Sequence, residues 1–351
     1  GTGLLSASIG HALSALDVDV ALFDAAPTQL KLAIDYGAGR AARDDDAPSL
    51  VVVAVPPDVT ADVIERELAM YPHAVVTDVA SVKLAPLGEL RERGVDLTHY
   101  IGSHPLAGRE RGGAISARAD IFIGRPWVVC RDEETPADDL AIVEALALDV
   151  GATPIEMTPE DHDRSVALVS HVPQLVASLL AGRFAGAPDG ALRLAGQGVR
   201  DTTRIAASAP ELWVQILGAN AEPVVEVLDA LAADLNSVAT ALRAPDAPGS
   251  RRTVADTIRQ GNDGVERLPG KHGQNRRFDT VVVMVDDKPG QLGKLFAEMG
   301  ELDINVEDFR LEHSPGAQFG LAELSVVPHA VRGMLDGLES RGWRIASTTH
   351  D

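Results

Sequence analysis

The chain has 351 residues and a formal net charge of −21, from 31 Lys and Arg against 52 Asp and Glu. With 45% hydrophobic and 24% charged residues it is a folded protein too long for one ordinary core, and its acidity argues against nucleic acid or anionic membranes as partners. No run reads as a membrane span or secretory signal, the lone Cys130 cannot form an internal disulfide, and no Cys/His spacing calls for a metal, so a cytoplasmic protein is expected.

Residues 1–157 alternate helical and strand patterns. Gly1 to Leu16 reads as a Gly-rich turn and a helix. Strands are predicted at Val18–Phe23, Leu50–Val55, Ala74–Val79, Tyr100–His104, Trp127–Cys130 and Ala152–Met157. Short apolar runs alternating with helices predict a parallel sheet covered on both faces, a Rossmann-type α/β domain. No strand precedes Gly1, although such a sheet needs one at its centre. The expectation is a chain that lacks its natural start or has a misplaced one, with an apolar β-run encoded upstream.

Strand signals vanish over 158–248. Helical periodicity runs through Asp161–Phe184, Ala191–Ala207, Pro210–Gly218 and Ala221–Leu242, predicting an all-α domain. Gly and Pro interrupt residues 244–278 and basic side chains gather from Arg251 to Arg277, so 249–278 reads as a solvated linker. Residues 279–351 follow the order βαββαβ, a ferredoxin-like α+β unit whose middle strands turn at Pro315-Gly316.

Chemistry-bearing residues sit at predicted strand ends. Gly1-Thr2-Gly3-Leu4-Leu5-Ser6 resembles a dinucleotide fingerprint. Gly1 would make the tight turn, Gly3 would admit a pyrophosphate, and the helix opening at Leu4 and Leu5 would offer free N–H groups. Asp24 lies 21 residues after Gly3, where a carboxylate accepts from a ribose 2′-OH. No Arg or Lys follows before Lys31, which favours NAD over NADP. Val55 and Pro56 end the next strand at the cofactor edge. Ser81 and Lys83 follow another strand end, where a helix-capping Ser is the plain alternative. His104, stopped by Pro105, is placed to act as a neutral base beside a nicotinamide. His162 reads as an exposed histidine at a helix start, and Cys130 as buried and inert.

At these blocks the chain resembles the prephenate/arogenate dehydrogenases. The resemblance rests on Gly1 through Asp24, Asp78-Val79-Ala80-Ser81-Val82-Lys83, His104-Pro105-Leu106-Ala107-Gly108, Ser170-His171-Val172-Pro173, and Arg200-Asp201-Thr202-Thr203-Arg204-Ile205-Ala206 with Trp213. It implies NAD-linked oxidative decarboxylation of prephenate to 4-hydroxyphenylpyruvate in tyrosine biosynthesis, a CH–CH-type oxidation. It also implies that His104 is catalytic, with Ser81 positioning it. Arg204 would bind a substrate carboxylate, and His171 and Trp213 would help to form the pocket. Gln174 stands where many members carry a second His, and Arg109 where Ser or Thr is common. Both leave the choice between prephenate and arogenate open. The helical domain is expected to pair two copies into a homodimer. Asp287-Lys288-Pro289-Gly290-Gln291-Leu292 resembles the ACT domain, which implies an aromatic amino-acid effector; the alternative is a purely structural dimerisation unit. Two rival functions remain at this level. A 3-hydroxyacid dehydrogenase would need a lysine from the helical domain, and none occurs between Lys83 and Lys271. A non-catalytic NAD or amino-acid sensor would not need His104, Ser81 and Arg204.

Overall fold

A computed structural model describes residues 1–108, 112–131, 135–268, 278–313 and 318–349. Helix α1 (Leu4–Ser14) comes first. A Cβ at its Gly10 would stand 2.0 Å from the Ala38 carbonyl oxygen, so the close approach of helix and loop requires glycine. β1 (Ala21–Leu22), α2 (Pro27–Asp35) and β2 (Arg40–Ala41) follow, and β1 and β2 form a separate parallel pair. Only Ala21–Leu22 of the predicted Val18–Phe23 strand is paired, because β2 is its one partner among the described residues.

The main sheet contains β3 (Leu50–Val53), β4 (Val75–Asp78), β5 (Tyr100–Pro105), β6 (Pro126–Cys130) and β7 (Thr153–Met157), in that spatial order. Helices α3 (Thr60–Met70), α4 (Leu84–Glu92) and α5 (Ala137–Asp149) fill the connections. β3, β4 and β5 are parallel, as are β6 and β7, but β5 and β6 run antiparallel. This corrects the expected all-parallel sheet. The β5–β6 connection holds only short 3-10 turns among its described residues, and without a crossover helix the chain returns antiparallel. The core joins Ile9, Val75, Ile101, Val129, Val143 and Leu146 to a Phe122–Trp127 ring pair 5.3 Å apart. Gly1 packs against β3's exit: a Cβ on it would come 2.2 Å from the Ala54 carbonyl oxygen.

After β7 the chain is helical. α6 (Pro159–Val166), a π turn (Ala167–His171) and α7 (Val172–Gly182) form one run that continues to Gly186. The π turn ends two residues before Pro173, which lacks an N–H and whose ring crowds the carbonyl four residues back, inside that turn. Residues Pro159–Gly186 are long and apolar enough, by length and composition, to cross a bilayer, contrary to the sequence-based expectation. The first half of this run carries fully buried polar side chains, His162 and Asp163, while Leu168, Val169 and Leu179 are exposed. α8 (Asp189–Leu192), α9 (Gln197–Thr203), α10 (Pro210–Ala219) and α11 (Ala221–Arg243) complete the series.

The 249–278 segment, expected as a linker, holds a 17-residue helix, α12 (Ser250–Glu266). Gly261 and Gly264 lie inside it because Val254, Ile258 and Val265 keep helical spacing, and each interior glycine costs only about 1 kcal/mol. Residues 269–277 lie outside the described part.

The chain divides into two compact units, Gly1–Leu192 with Asp201–Ala232, and Arg193–Arg200 with Ala233–Asp351. The second unit contains β8 (Asp279–Asp286), α13 (Gln291–Glu301), β9 (Asp308–His313), β10 (Phe319–Val326), α14 (Val331–Ser340) and β11 (Arg344–Thr349). Its antiparallel sheet has the order β11-β8-β10-β9, a ferredoxin-like arrangement. β10 alternates strictly, so Ala322, Leu324 and Val326 meet Leu295, Met299, Met334 and Leu338 of the two helices. The Pro315-Gly316 turn lies outside the described residues.

Candidate active site

The cofactor end is built from the first turn. α1 has Gly3 at its N-cap and no side-chain cap, so its first N–H groups are uncapped. A Cβ on Gly3 would meet nothing within 4 Å, which leaves open space at the helix start. Leu4 and Leu5 form the first turn, and Leu5 packs against the main core. Asp24 accepts from the Thr2 N–H at 2.7 Å, the Thr2 hydroxyl at 2.8 Å and the Ala26 N–H at 2.8 Å. Burial opposes its charge, but these hydrogen bonds win and hold the carboxyl below its ordinary value. A carboxylate has about four acceptor positions, so one remains for a ribose hydroxyl. Val55 contacts the Gly1 position, and the Thr60 hydroxyl donates to the Pro56 carbonyl at 3.0 Å. The fingerprint, Asp24 and the β3 exit thus surround one edge of the sheet.

The second half of the site is a buried polar network at the ends of β4 and β5. Asp78 is fully buried, paired with the Lys83 ammonium, and accepts from the Ala80 N–H and the Tyr100 hydroxyl, each at 2.8 Å. Lys83 also donates to the Ser103 carbonyl at 2.7 Å. Burial first, then Asp78, raises the Tyr100 phenol well above its ordinary value and keeps it a donor. Asp163, on α6, accepts from the Lys83 and Leu84 N–H groups, both at 2.9 Å. It thereby caps α4, which has no cap of its own.

His104 is the next-to-last residue of β5 and is 8% exposed. Its Nδ1 lies 2.9 Å from His162 Nε2, and His162 Nδ1 lies 2.7 Å from Asp163 Oδ1. Burial first, then His162, Lys83 and His171, push His104 well below 6.5, so the ring is neutral. Two sequence-based expectations are corrected here. His162 is fully buried rather than exposed, and it, not Ser81, is the hydrogen-bond partner of His104. Ser81 follows β4 half-buried and makes no hydrogen bond among the described residues.

His171 closes the π turn. Asn220 Nδ2 donates to the Asp163 carbonyl at 2.8 Å and meets His171 Nδ1 at 3.1 Å. An amide nitrogen donates only, so His171 Nδ1 accepts and its Nε2 carries the hydrogen. Burial lowers His171 to about 4. Trp213 stands edge-on to it, ring centres 6.1 Å apart. Gln174 is buried on α7, within 3.4 Å of Ser178 and Ser208. Arg204 is exposed on a 3-10 turn (Arg204–Ala206) that packs against α7. Arg109 lies outside the described residues. A cavity of about 380 Å³ touches Lys83, Tyr100 and Cys130, but His104 does not line it. Burial pushes the Cys130 thiol up to about 12, so it is unreactive at neutral pH.

Asp163 and Asn220 carry no functional signal in the sequence, and His162 reads there as exposed. In the Asp161-His162-Asp163 run, local spacing could not tell a solvated helix start from a buried one.

Comparison with known proteins decides what this constellation belongs to. Family models for the prephenate dehydrogenase nucleotide-binding domain and dimerization domain match residues 10–156 and 158–256. NovF of Streptomyces niveus, a probable prephenate dehydrogenase, is 35% identical over 98% of this chain and 97% of its own. The chain belongs to the prephenate dehydrogenase family. A cyclohexadienyl dehydrogenase of Zymomonas mobilis is 32% identical over 70% of this chain and 88% of its own. Among solved structures, the Synechocystis arogenate dehydrogenase is 27% identical with a TM-score of 0.61, covering 75% of this chain and 98% of that one. The Aquifex aeolicus prephenate dehydrogenase solved with hydroxyphenyl propionate and NAD+ shares the fold, with a TM-score of 0.65 over 75% of this chain and 96% of that one. This family membership sets aside the hydroxyacid-dehydrogenase and sensor readings. The boundary between the two family models, at residues 156 and 158, coincides with the passage from β7 to α6.

Proposed function

We propose that the chain is an NAD-linked prephenate dehydrogenase, converting prephenate to 4-hydroxyphenylpyruvate and CO2. The observation that carries this reading is a neutral, buried His104 at the end of β5, within the same sheet whose β3 exit adjoins the fingerprint turn. NAD, when bound, supplies the acceptor for the hydride of the carbinol carbon. The uncapped start of α1 and the open space at Gly3 fit its pyrophosphate, and Asp24 fits its adenosine ribose. An anionic Asp24 would repel a 2′-phosphate, so NAD is favoured over NADP.

The chain's own residues do the rest. His104 accepts the hydrogen bond of the ring hydroxyl and raises electron density on its oxygen as the carbinol carbon loses hydride. The electron pair of the C–CO2 bond then enters the ring and aromatises it, and CO2 departs. The hydroxyl proton stays with the phenol product, so no proton is consumed. His171, with hydrogen on Nε2, donates to the substrate, and Trp213 braces its ring. Arg204 and Arg109 supply guanidinium groups for the side-chain carboxylate, and a planar fork suits that task. Ser81 and Gln174 contribute neutral hydrogen bonds to the pocket.

Arogenate is the second substrate, favoured by the neutral Gln174 near the expected side-chain position and by the likeness to an arogenate dehydrogenase. The helical domain would pair two copies into a homodimer, consistent with the dimerization-domain match. The C-terminal unit would act as an ACT domain, with an aromatic amino acid held near the β8–α13 turn, where Asp287, Lys288 and Gly290 line a cavity of about 370 Å³. A cytoplasmic setting fits this biosynthetic role. Absorbance of reduced nicotinamide tests the reading directly: NADH should form from NAD with prephenate, more slowly or not at all from NADP. No NADH from either prephenate or arogenate would refute it.

A further inference from the structure

His104 has two ring nitrogens, and a base that accepts the substrate hydroxyl must keep one of them bare. The network around it leaves no freedom in that choice. Asp163 is a carboxylate accepting the Lys83 and Leu84 N–H groups, so it can only accept from His162 Nδ1, 2.7 Å away. His162 therefore carries its hydrogen on Nδ1. Its ring is held neutral, chiefly by burial, so Nε2 is a bare acceptor. His104 Nδ1, 2.9 Å from that Nε2, must then be the N–H. What remains on His104 is a lone pair on Nε2.

We infer that His162, oriented by Asp163, is a positioning residue that fixes His104 as the Nδ1–H tautomer and so keeps Nε2 free to accept from the substrate. This deepens the dehydrogenase reading and rests on it. The charged and titratable groups facing the pair are Lys83 at the start of α4, Asp78 of β4, Asp163 of α6 and His171 of the π turn. None of these offers His104 Nδ1 an alternative acceptor in the hydrogen-bond network. The ring pair also meets edge to face, with centres 5.1 Å apart, which holds the His104 plane. The arrangement joins the end of a strand to a helix 58 residues later, so the tautomer is set by the packing of α6 against the sheet.

His162→Leu removes the acceptor, and His162→Gln replaces it with an amide carbonyl that can accept the same N–H. In the full chain, His162→Leu should lower kcat about a hundredfold, in the range of lost general-base action, with the substrate KM within about threefold. His162→Gln should recover at least about tenfold of that loss, whereas a purely packing role would favour Leu. Nitrogen-15 spectra of histidine-labelled wild type, with His104 assigned by its loss in His104→Asn, should report the Nδ1–H tautomer. A His104 with hydrogen on Nε2, a His162→Leu variant with wild-type kcat, or a His162→Gln variant no better than Leu would overturn the inference. The nitrogen spectra need no substrate. A wild type that forms no NADH would thus refute the dehydrogenase reading while leaving the tautomer measured.

Discussion

His104 is useful because it is buried and neutral, and its partners are what keep it so. His104→Asn keeps a hydrogen-bonding side chain but loses the ring acceptor. Turnover should fall by about 10²–10⁴-fold, with NAD affinity, read by fluorescence titration, changed less than about twofold. His171 holds the opposite tautomer, fixed by Asn220. In Asn220→Leu that choice is released, and the substrate KM should rise about tenfold, about 1.4 kcal/mol, with kcat much less affected. Steady-state kinetics separate the two outcomes. Lys83 belongs to the scaffold: it is 1% exposed and neutralises Asp78. Lys83→Met strands a buried carboxylate, and urea melts should show a loss of about 3–5 kcal/mol.

Two packing arrangements set the geometry at the scale of elements. α1 approaches the Ala38 loop so closely that only glycine fits at position 10. Gly10→Ala should cost about 1–3 kcal/mol and loosen the fingerprint helix, seen as a lower thermal midpoint and weaker NAD binding. The α6–π turn run carries His162 and His171, and β5 carries His104; burial holds all three below their ordinary value of 6.5. Below about pH 6.5 the unfolded chain takes up protons that the folded chain refuses. Stability is therefore full above that pH and falls with acid, for His171 down to about pH 4. Each withheld proton tilts the unfolding free energy by about 1.4 kcal/mol per pH unit. Urea midpoints at pH 7.5, 6.0 and 5.0 should decline in that order, and a flat series would contradict the burial of these rings. The α12 segment gives the reverse lesson. Its glycines look like punctuation in the sequence, yet an apolar stripe at helical spacing outweighs two interior glycines.

The whole chain combines a catalytic part matched by family models with a ferredoxin-like unit beyond residue 256, where they end. The similarity to NovF runs over 98% of the chain and so includes that unit. If it senses an aromatic amino acid, millimolar tyrosine should raise the thermal midpoint of the full chain and lower its NADH production. Absence of both effects would leave the unit a structural module.

Sequence by itself determined the alternating α/β start, the helical stretch after it, the βαββαβ end and the residues at strand ends. These follow from local rules: apolar runs of strand length, helical periodicity, and glycines where backbone must turn or approach. Asp24 and His104 were singled out by their places at predicted strand ends, whereas His171 and Arg204 came into view only through the resemblance of their blocks to a known family. The antiparallel β5–β6 pair and the His104–His162–Asp163 chain were decided only by tertiary structure. A hydrogen bond spanning 58 residues has no local signature. Whether a histidine beside two aspartates is solvated or buried depends on what packs over it, and here Lys83, Leu84 and Asn220 gather around Asp163 from parts of the chain 57 to 80 residues away.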